Sequence, residues 1–366
     1  MIENLFRKEV SNVRPYVQGK PAEEVQRELG LDRIEKLASN ENQFGPSPLA
    51  VTAMQKEVEL CNFYPESVPI ELAEKLAKRL NVTAENIAVG SSGESLIRLI
   101  NLTFIEEGNE VLVMDPSFSI YESHAALLGG KTKNIPLKDD GSIDTDGMLN
   151  AITEKTKLIW LCTPNNPTGN IASQEQIDNM IRELPDHVVL ILDEAYYEYA
   201  CAFADYPKNN TELVKDKENI IVLRTFSKIY GIAGLRIGYI IACAPIVKMI
   251  NSLKLTFEVN RLAQVAAYAA LDDEEYLQMV VSENKKALDT LSEYFTEKGW
   301  HYYKSFANFI WVDTGMDSKK LFEDLQKKGI IIRPGFLWGW DTWLRISTGT
   351  EEQMRFFIEK MEEIPG

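Results

Sequence analysis

Short, continuous apolar runs fill the middle of the chain, and apolar residues at helical spacing lie on both sides of it. Ser47-Pro48 reads as a helix N-cap followed by a first-turn proline, with Val51, Met54 and Val58 recurring at helical spacing behind it. Leu72, Leu76 and Leu80 predict a second amphipathic helix. From residue 86 the pattern alternates. Apolar runs at 87–89, 110–114, 158–162, 188–192, 220–223 and 236–242 predict strands, with helical stretches between several of them. Alternation of this kind predicts an α/β fold with a mainly parallel sheet covered by helices. Beyond 256 the order changes. A long helical region at 261–298 precedes a strand at 309–312, a helix near 318–328, an apolar run at 330–332, a strand at 344–346 and a last helix at 351–363. Residues 1–46 read as irregular. The expected organisation is a large domain at 43–256 and a smaller α+β domain built from 1–42 and 257–366, without repeats or low-complexity tracts.

The strand ends carry the chemistry. Gly90-Ser91-Ser92-Gly93, Asp115-Pro116-Ser117-Phe118, Thr163-Pro164-Asn165-Asn166-Pro167-Thr168-Gly169, Asp193-Glu194-Ala195-Tyr196 and Thr225-Phe226-Ser227-Lys228 each follow an apolar run. Open α/β sheets bind ligands at the carboxyl edge, so five polar ends in succession point to one site. Lys228 sits among Phe226, Ile229 and Tyr230 rather than among charges. Desolvation lowers a lysine's pKa and frees its amine for Schiff-base chemistry. Thr225, Ser227 and Arg236 are donors a phosphate would use, and Gly93 offers a free amide at a helix start. Asp193 closes an apolar strand, where a carboxylate is costly without a positive partner. A protonated heterocyclic nitrogen would serve, and stabilising that charge is what an electron-sink cofactor needs. Asn166 and Tyr196 could hydrogen-bond an oxygen on such a ring, and Phe118 could stack on it. Taken singly, each has a plainer reading: Asn-Pro and Thr-Gly are turn formers, and a lone Phe is core.

Bulk properties narrow the partners. The 366 residues carry a net charge of −16, which argues against nucleic acid or an anionic membrane surface. A small phosphorylated ligand in a local pocket remains compatible with it. No apolar run approaches a membrane span, and the N-terminus lacks a signal-peptide pattern, so the cytoplasm is the expected compartment. Cys61, Cys162, Cys201 and Cys243 lack metal-ligand spacing, and the three histidines lie far apart; no metal site is expected.

The phrases Pro164-Asn165-Asn166-Pro167-Thr168-Gly169, Asp193-Glu194-Ala195-Tyr196, and Ser227-Lys228 with Gly234-Leu235-Arg236-Ile237-Gly238 resemble fold type I pyridoxal-phosphate aminotransferases. Ala38-Ser39-Asn40-Glu41-Asn42 with Gly45-Pro46-Ser47-Pro48, and Leu344-Arg345-Ile346-Ser347-Thr348-Gly349-Thr350, are similar more narrowly to the histidinol-phosphate aminotransferase family. The likeness spans essentially the whole chain, in order. It implies pyridoxal 5'-phosphate as cofactor, held covalently by Lys228, which would also shuttle the reacting proton. It further implies Asp193 at the pyridine nitrogen, Asn166 and Tyr196 at the ring oxygen, and Phe118 on the ring face. Ser92, Gly93, Thr225, Ser227 and Arg236 would hold the phosphate. Tyr64 would reach the phosphate of a neighbouring subunit, making a homodimer with shared sites. Arg345 would grip the substrate carboxylate, with Tyr16, Asn42 and Arg333 as further substrate residues. The implied substrates are an amino donor and a 2-oxo acid: glutamate/2-oxoglutarate exchanged with histidinol phosphate.

The chain departs from the family's usual pattern in three places. Gly93-Glu94-Ser95 stands where the helix commonly begins Ser-Asp-Glu, and Phe118 where tyrosine is frequent. Trp338, Trp340 and Trp343 crowd the stretch between Arg333 and Arg345. Those tryptophans leave an aromatic amino-acid aminotransferase open as an alternative. An amino-acid decarboxylase or oxidase on the same fold ranks behind it, and a regulatory aminotransferase-like protein further still.

Overall fold

The structure, a computed structural model, describes residues 2–11, 21–207 and 210–365. Among these the main sheet has seven strands. Their order is Ile87–Gly90, Gly238–Ala242, Ile220–Thr225, Val189–Asp193, Thr156–Cys162, Glu110–Asp115 and Lys131–Pro136. Every pairing is parallel except the two made by Gly238–Ala242. The sheet is buried on both faces, which is why its strands read as unbroken apolar runs. Ile159, Leu161, Leu190, Leu192 and Val222 join one core cluster. Leu158, Trp160, Val189, Ile191 and Leu223, alternating with them, join the cluster on the other face.

A second core lies around the antiparallel strands Phe309–Asp313 and Trp343–Ser347. Leu37, Leu291, Phe295, Ile310, Val312, Leu344, Ile346 and Phe357 pack there. The N-terminal part of the chain is tied to it by the parallel pairing of Glu35–Lys36 with Ile330–Ile331.

Several elements are absent from the apolar pattern, and two of them show why. The helix Ala22–Leu29 interrupts the stretch expected to be irregular; it buries only Val25, so its apolar signal is one residue wide. The strand Lys131–Pro136 lies at the sheet edge with exposed, charged positions, the composition expected of a protected edge.

Two boundaries also shift. The region expected as one helix at 261–298 is two, Arg261–Ala270 and Glu274–Lys298. Asp273 breaks it by capping the second helix at the Tyr276 amide, while its carboxylate also accepts from the Ser47 hydroxyl at 2.5 Å. Ser47 in turn caps the helix Pro48–Glu57, as its sequence position predicts. The strand expected at 236–242 starts only at Gly238, because Arg236 adopts the left-handed conformation (φ 57°) at the end of a short 3-10 turn.

Candidate active site

Register brings the polar strand ends together. Cys162 pairs with Asp193 and Asp193 with Leu223 across three parallel strands. Gly238, which begins the antiparallel strand, pairs with Gly90 on one side and Thr225 on the other. The carboxyl ends of these strands therefore open on one edge. A cavity of about 240 Å³ lies there, lined by Gly93, Phe118, Asn166, Asp193, Tyr196, Thr225, Ser227, Lys228, Arg236 and Arg345. These ten were singled out in the sequence, and they converge from 253 residues of chain by ordinary sheet topology. Ser39, Asn40, Tyr121 and Cys162 line it as well. A larger cleft of about 460 Å³ is lined by residues 53–72 and 261–269, and its Arg261 is paired with Glu57. No sheet strand contributes to it, and its lining holds no lysine, cysteine, serine or threonine among the described residues.

Asp193 is buried and makes two hydrogen bonds. The Tyr121 hydroxyl donates at 2.6 Å and the Ala195 amide at 3.0 Å. Burial pushes its carboxyl up to about 6, with those two donors pulling the other way. An acid so placed favours a cationic partner. Tyr121 is itself fixed by stacking on Trp160, at 4.6 Å between centroids, and by an edge contact with Phe118 at 5.7 Å.

Lys228 reaches into the cavity with its Nζ 3.2 Å from the Ser39 carbonyl oxygen. Burial, with a smaller contribution from the neighbouring Arg345 guanidinium, lowers its pKa to about 8. A substantial fraction of neutral amine is then present near neutral pH, as a nucleophilic lysine requires. The loop carrying it is held tightly. A Cβ on Gly231 (φ +69°) would collide with the Gly45 carbonyl, so only glycine lets the 228–231 turn lie on that segment.

The cavity also gathers groups that suit an anion. The helix Gly93–Phe104 begins there, with the Gly93 amide facing a backbone that approaches because Gly238 has no side chain; a Cβ on Gly238 would lie 3.0 Å from that nitrogen. Thr225, Ser227 and Arg236 line the same cavity. A buried acid, an activated lysine and a cluster of anion donors fit a flat, protonated heterocycle bearing a phosphate.

Arg345 extends from Trp343–Ser347 to donate to Asn166 Oδ1 and to the Ala38 carbonyl, both at 2.5 Å. Tyr196 receives a hydrogen bond on its hydroxyl from Asn40 Nδ2 at 2.9 Å. Asn40, in the left-handed conformation at φ 55°, also receives the Ser347 hydroxyl at 2.8 Å. Asn40 and Tyr121 are thus parts of the site that pattern reading passed over. The signal for Asn40 lay inside the quoted phrase Ser39-Asn40-Glu41. That for Tyr121 lay three residues beyond Phe118, in the first turn of Ile120–Ala126.

Other expected residues fall outside the cavity lining. Asn42 donates to the Ile229 carbonyl and the Tyr276 hydroxyl, at 2.7 and 2.8 Å, and so holds the segment in place. The Ser92 hydroxyl caps the following helix at the Ser95 amide. Arg333 is buried beside Arg345, its register partner. Tyr64 is 79% exposed, stacks on Phe257 and is not among the residues lining its own chain's cavity. Tyr16 lies outside the described residues.

The model of the family "Aminotransferase class I and II" matches residues 32–361. The histidinol-phosphate aminotransferase 2 of Carboxydothermus hydrogenoformans is 42% identical, over 98% of this chain and 99% of its own length. That of Moorella thermoacetica, histidinol-phosphate aminotransferase, is also 42% identical, over 98% and 92%. Among solved structures, histidinol-phosphate aminotransferase from Sinorhizobium meliloti in complex with pyridoxal-5'-phosphate superposes with a TM-score of 0.90 at 29% identity, covering 98% of this chain and 96% of that one. By its sequence over nearly its full length, the chain belongs to the class I and II aminotransferases and, within them, to the histidinol-phosphate aminotransferase family.

Proposed function

We propose that this chain is a pyridoxal-phosphate-dependent aminotransferase that exchanges an amino group between glutamate and imidazole acetol phosphate, giving 2-oxoglutarate and histidinol phosphate. The observation that carries the reading is the convergence of Lys228, Asp193 and Arg345 on one cavity that also gathers the anion donors Gly93, Thr225, Ser227 and Arg236. When bound, pyridoxal phosphate supplies an electron sink for the carbanion formed at the substrate carbon. Lys228 would hold the cofactor covalently and, with its pKa lowered to about 8, move the proton at that carbon. Asp193 would face the ring nitrogen and keep it charged, with Tyr121 holding the carboxylate in place. Asn166 and Tyr196 would take the ring oxygen and Phe118 the ring face. Gly93, Thr225, Ser227 and Arg236 would hold the phosphate. Arg345 would orient the substrate's anionic group, and a guanidinium suits carboxylate and phosphate alike.

The working unit in this reading is a cytoplasmic homodimer. Val58, Phe63, Tyr64, Val68 and Leu255 are exposed apolar residues on the segments around Tyr64 and Phe257, a pattern that favours a protein partner. Among the described residues no helix is long and apolar enough to cross a membrane. A second substrate class, aromatic amino acids, is favoured by one observation: Trp338 lies beside both Arg333 and Arg345.

Single-turnover reaction of the cofactor-loaded protein with histidinol phosphate, histidinol and phenylalanine separates the two. The proposal expects fast reaction with histidinol phosphate and poor reaction with the other two. Indifference to the phosphate, or phenylalanine matching histidinol phosphate, would remove it in favour of the aromatic reading.

A further inference from the structure

The tryptophan-rich stretch before Arg345 is not accounted for by cofactor binding or by proton transfer. Trp338, Trp340 and Trp343 all contact Trp311, at 5.5, 6.2 and 5.6 Å between centroids, and Trp340 and Trp343 contact each other. Trp311 is fully buried, so this cluster is core. Trp338 also reaches beyond it. It ends the 3-10 turn Gly335–Trp338, and that turn closes tightly because a Cβ on Gly335 would strike the carbonyls of Trp340 and Trp343. Gly339 follows at φ +77° and releases the chain.

So placed, the Trp338 indole N–H donates to the Ser117 carbonyl at 2.9 Å, across 221 residues of sequence. Ser117 immediately precedes Phe118 of the cavity wall. The ring of Trp338 has the Arg345 guanidinium carbon 5.6 Å and the Arg333 guanidinium carbon 5.9 Å from its centroid. Arg333 and Arg345 are register partners on antiparallel strands, so both side chains leave the same face of the sheet. Two neighbouring guanidinium groups repel each other, and Lys228 adds a third positive group to the region. An aromatic face near both cations offsets part of that repulsion and fixes where they sit.

We infer that Trp338 is the positioning residue of the substrate-side arginines. It locks Arg345 and Arg333 in place and pins them, through Ser117, to the wall that carries Phe118. Its effect falls chiefly on the affinity for anionic substrates. This rests on the reading of Arg345 as the substrate's anion anchor.

The test uses the full-length, cofactor-loaded protein and glutarate, an unreactive dicarboxylate, as probe in calorimetric titration. Trp338→Met keeps the bulk and removes the π face; Trp338→Phe keeps a face and removes the N–H. Trp338→Met is expected to weaken glutarate roughly tenfold, the scale of losing partly buried cation–π contacts. Trp338→Phe should fall between it and the wild type. For glutamate, Trp338→Met should raise KM by a similar factor and leave kcat within about threefold, with cofactor affinity changed less than glutarate affinity. Trp340→Phe, altering another ring packed on Trp311, should leave glutarate binding as it is. Equal glutarate affinity in wild type and Trp338→Met overturns the inference, as does a wild type that does not bind glutarate. So does a loss in Trp340→Phe equal to that in Trp338→Met, which would mark general packing. A wild type that binds glutarate more tightly than Trp338→Met but fails to exchange with histidinol phosphate would instead remove the substrate assignment and leave Trp338 its role.

Discussion

Asp193 and Arg345 show what single residues contribute to this site and how far each could be read in advance. Asp193 was legible because a carboxylate at the end of the run Val188 to Leu192 has no reason to be there without a positive partner. Its hydrogen-bond donor Tyr121 was not, because a tyrosine in an amphipathic helix looks like any core residue until the helix is docked. Tyr121→Phe should remove a charge-assisted hydrogen bond, worth about 1.5–3 kcal/mol, and so weaken pyridoxal phosphate roughly 10- to 150-fold. Titration of the apoprotein with the cofactor checks this; unchanged affinity would mean that Tyr121 does not hold Asp193 for the cofactor. Arg345→Lys keeps the charge and loses the planar fork. The glutamate half-reaction should slow by roughly 30- to 150-fold, about 2–3 kcal/mol, measured as single-turnover kcat/KM. A loss below about threefold would show that another group orients the carboxylate.

The strands that end at the cavity are braced on the sheet's other face. Side chains alternate, so next to Asp193 and Thr225, which face the cofactor site, Glu194 and Arg224 point the opposite way. They form a buried ion pair, with Arg224 Nε 2.8 Å and Nη2 2.7 Å from Glu194 Oε2. Arg224 also lies over the Tyr197 ring at 3.3 Å. Glu194 accepts from Asn210 at 2.6 Å and from Tyr206, whose hydroxyl reaches the Thr163 carbonyl. The ends of Thr156–Cys162, Val189–Asp193 and Ile220–Thr225 are thereby joined beneath the residues that line the cavity. Arg224→Met strands a buried carboxylate and should cost about 3–5 kcal/mol in denaturant unfolding. The pair Arg224→Met with Glu194→Leu should recover much of that loss, since two apolar groups leave no charge uncompensated. A double variant no better than the single would refute the electrostatic origin of the brace. Most elements were visible as apolar runs because the sheet is buried on both faces. The edge strand Lys131–Pro136 and the helix Ala22–Leu29 were not, because each buries too little to leave a period in the sequence.

At the scale of the whole molecule, the chain folds into a sheet core and an antiparallel second core, with Arg345 reaching from the latter into the sheet-edge cavity. The mainly parallel sheet was legible from alternation, and the gathering of its polar strand ends from their composition; the strand order was not. The reach of Arg345 to Asn166, 179 residues earlier, was not, since no local pattern encodes which strand ends face each other across two cores. Tyr64 belongs to this scale too. Exposed on its own chain, it has a role only if a second subunit covers the region. Mixing Lys228→Ala subunits with a Tyr64→Ala variant of much reduced activity should restore activity in the hybrids. One site would then carry both defects and the other neither. Activity no higher than that of either parent after verified subunit exchange would contradict shared sites.

The measurement that bears most directly on the site is borohydride reduction of the cofactor-loaded protein followed by peptide mass mapping. Reduction fixes a covalently held cofactor to its lysine permanently. One pyridoxyl group per chain is expected, at Lys228, and none in Lys228→Ala. Lys254, whose pKa burial also lowers but whose Nζ is bound to the Val89 carbonyl away from the cavity, provides the internal control. Label at Lys254 or scattered over surface lysines, with Lys228 unmodified, would contradict the placement of the cofactor at the strand ends.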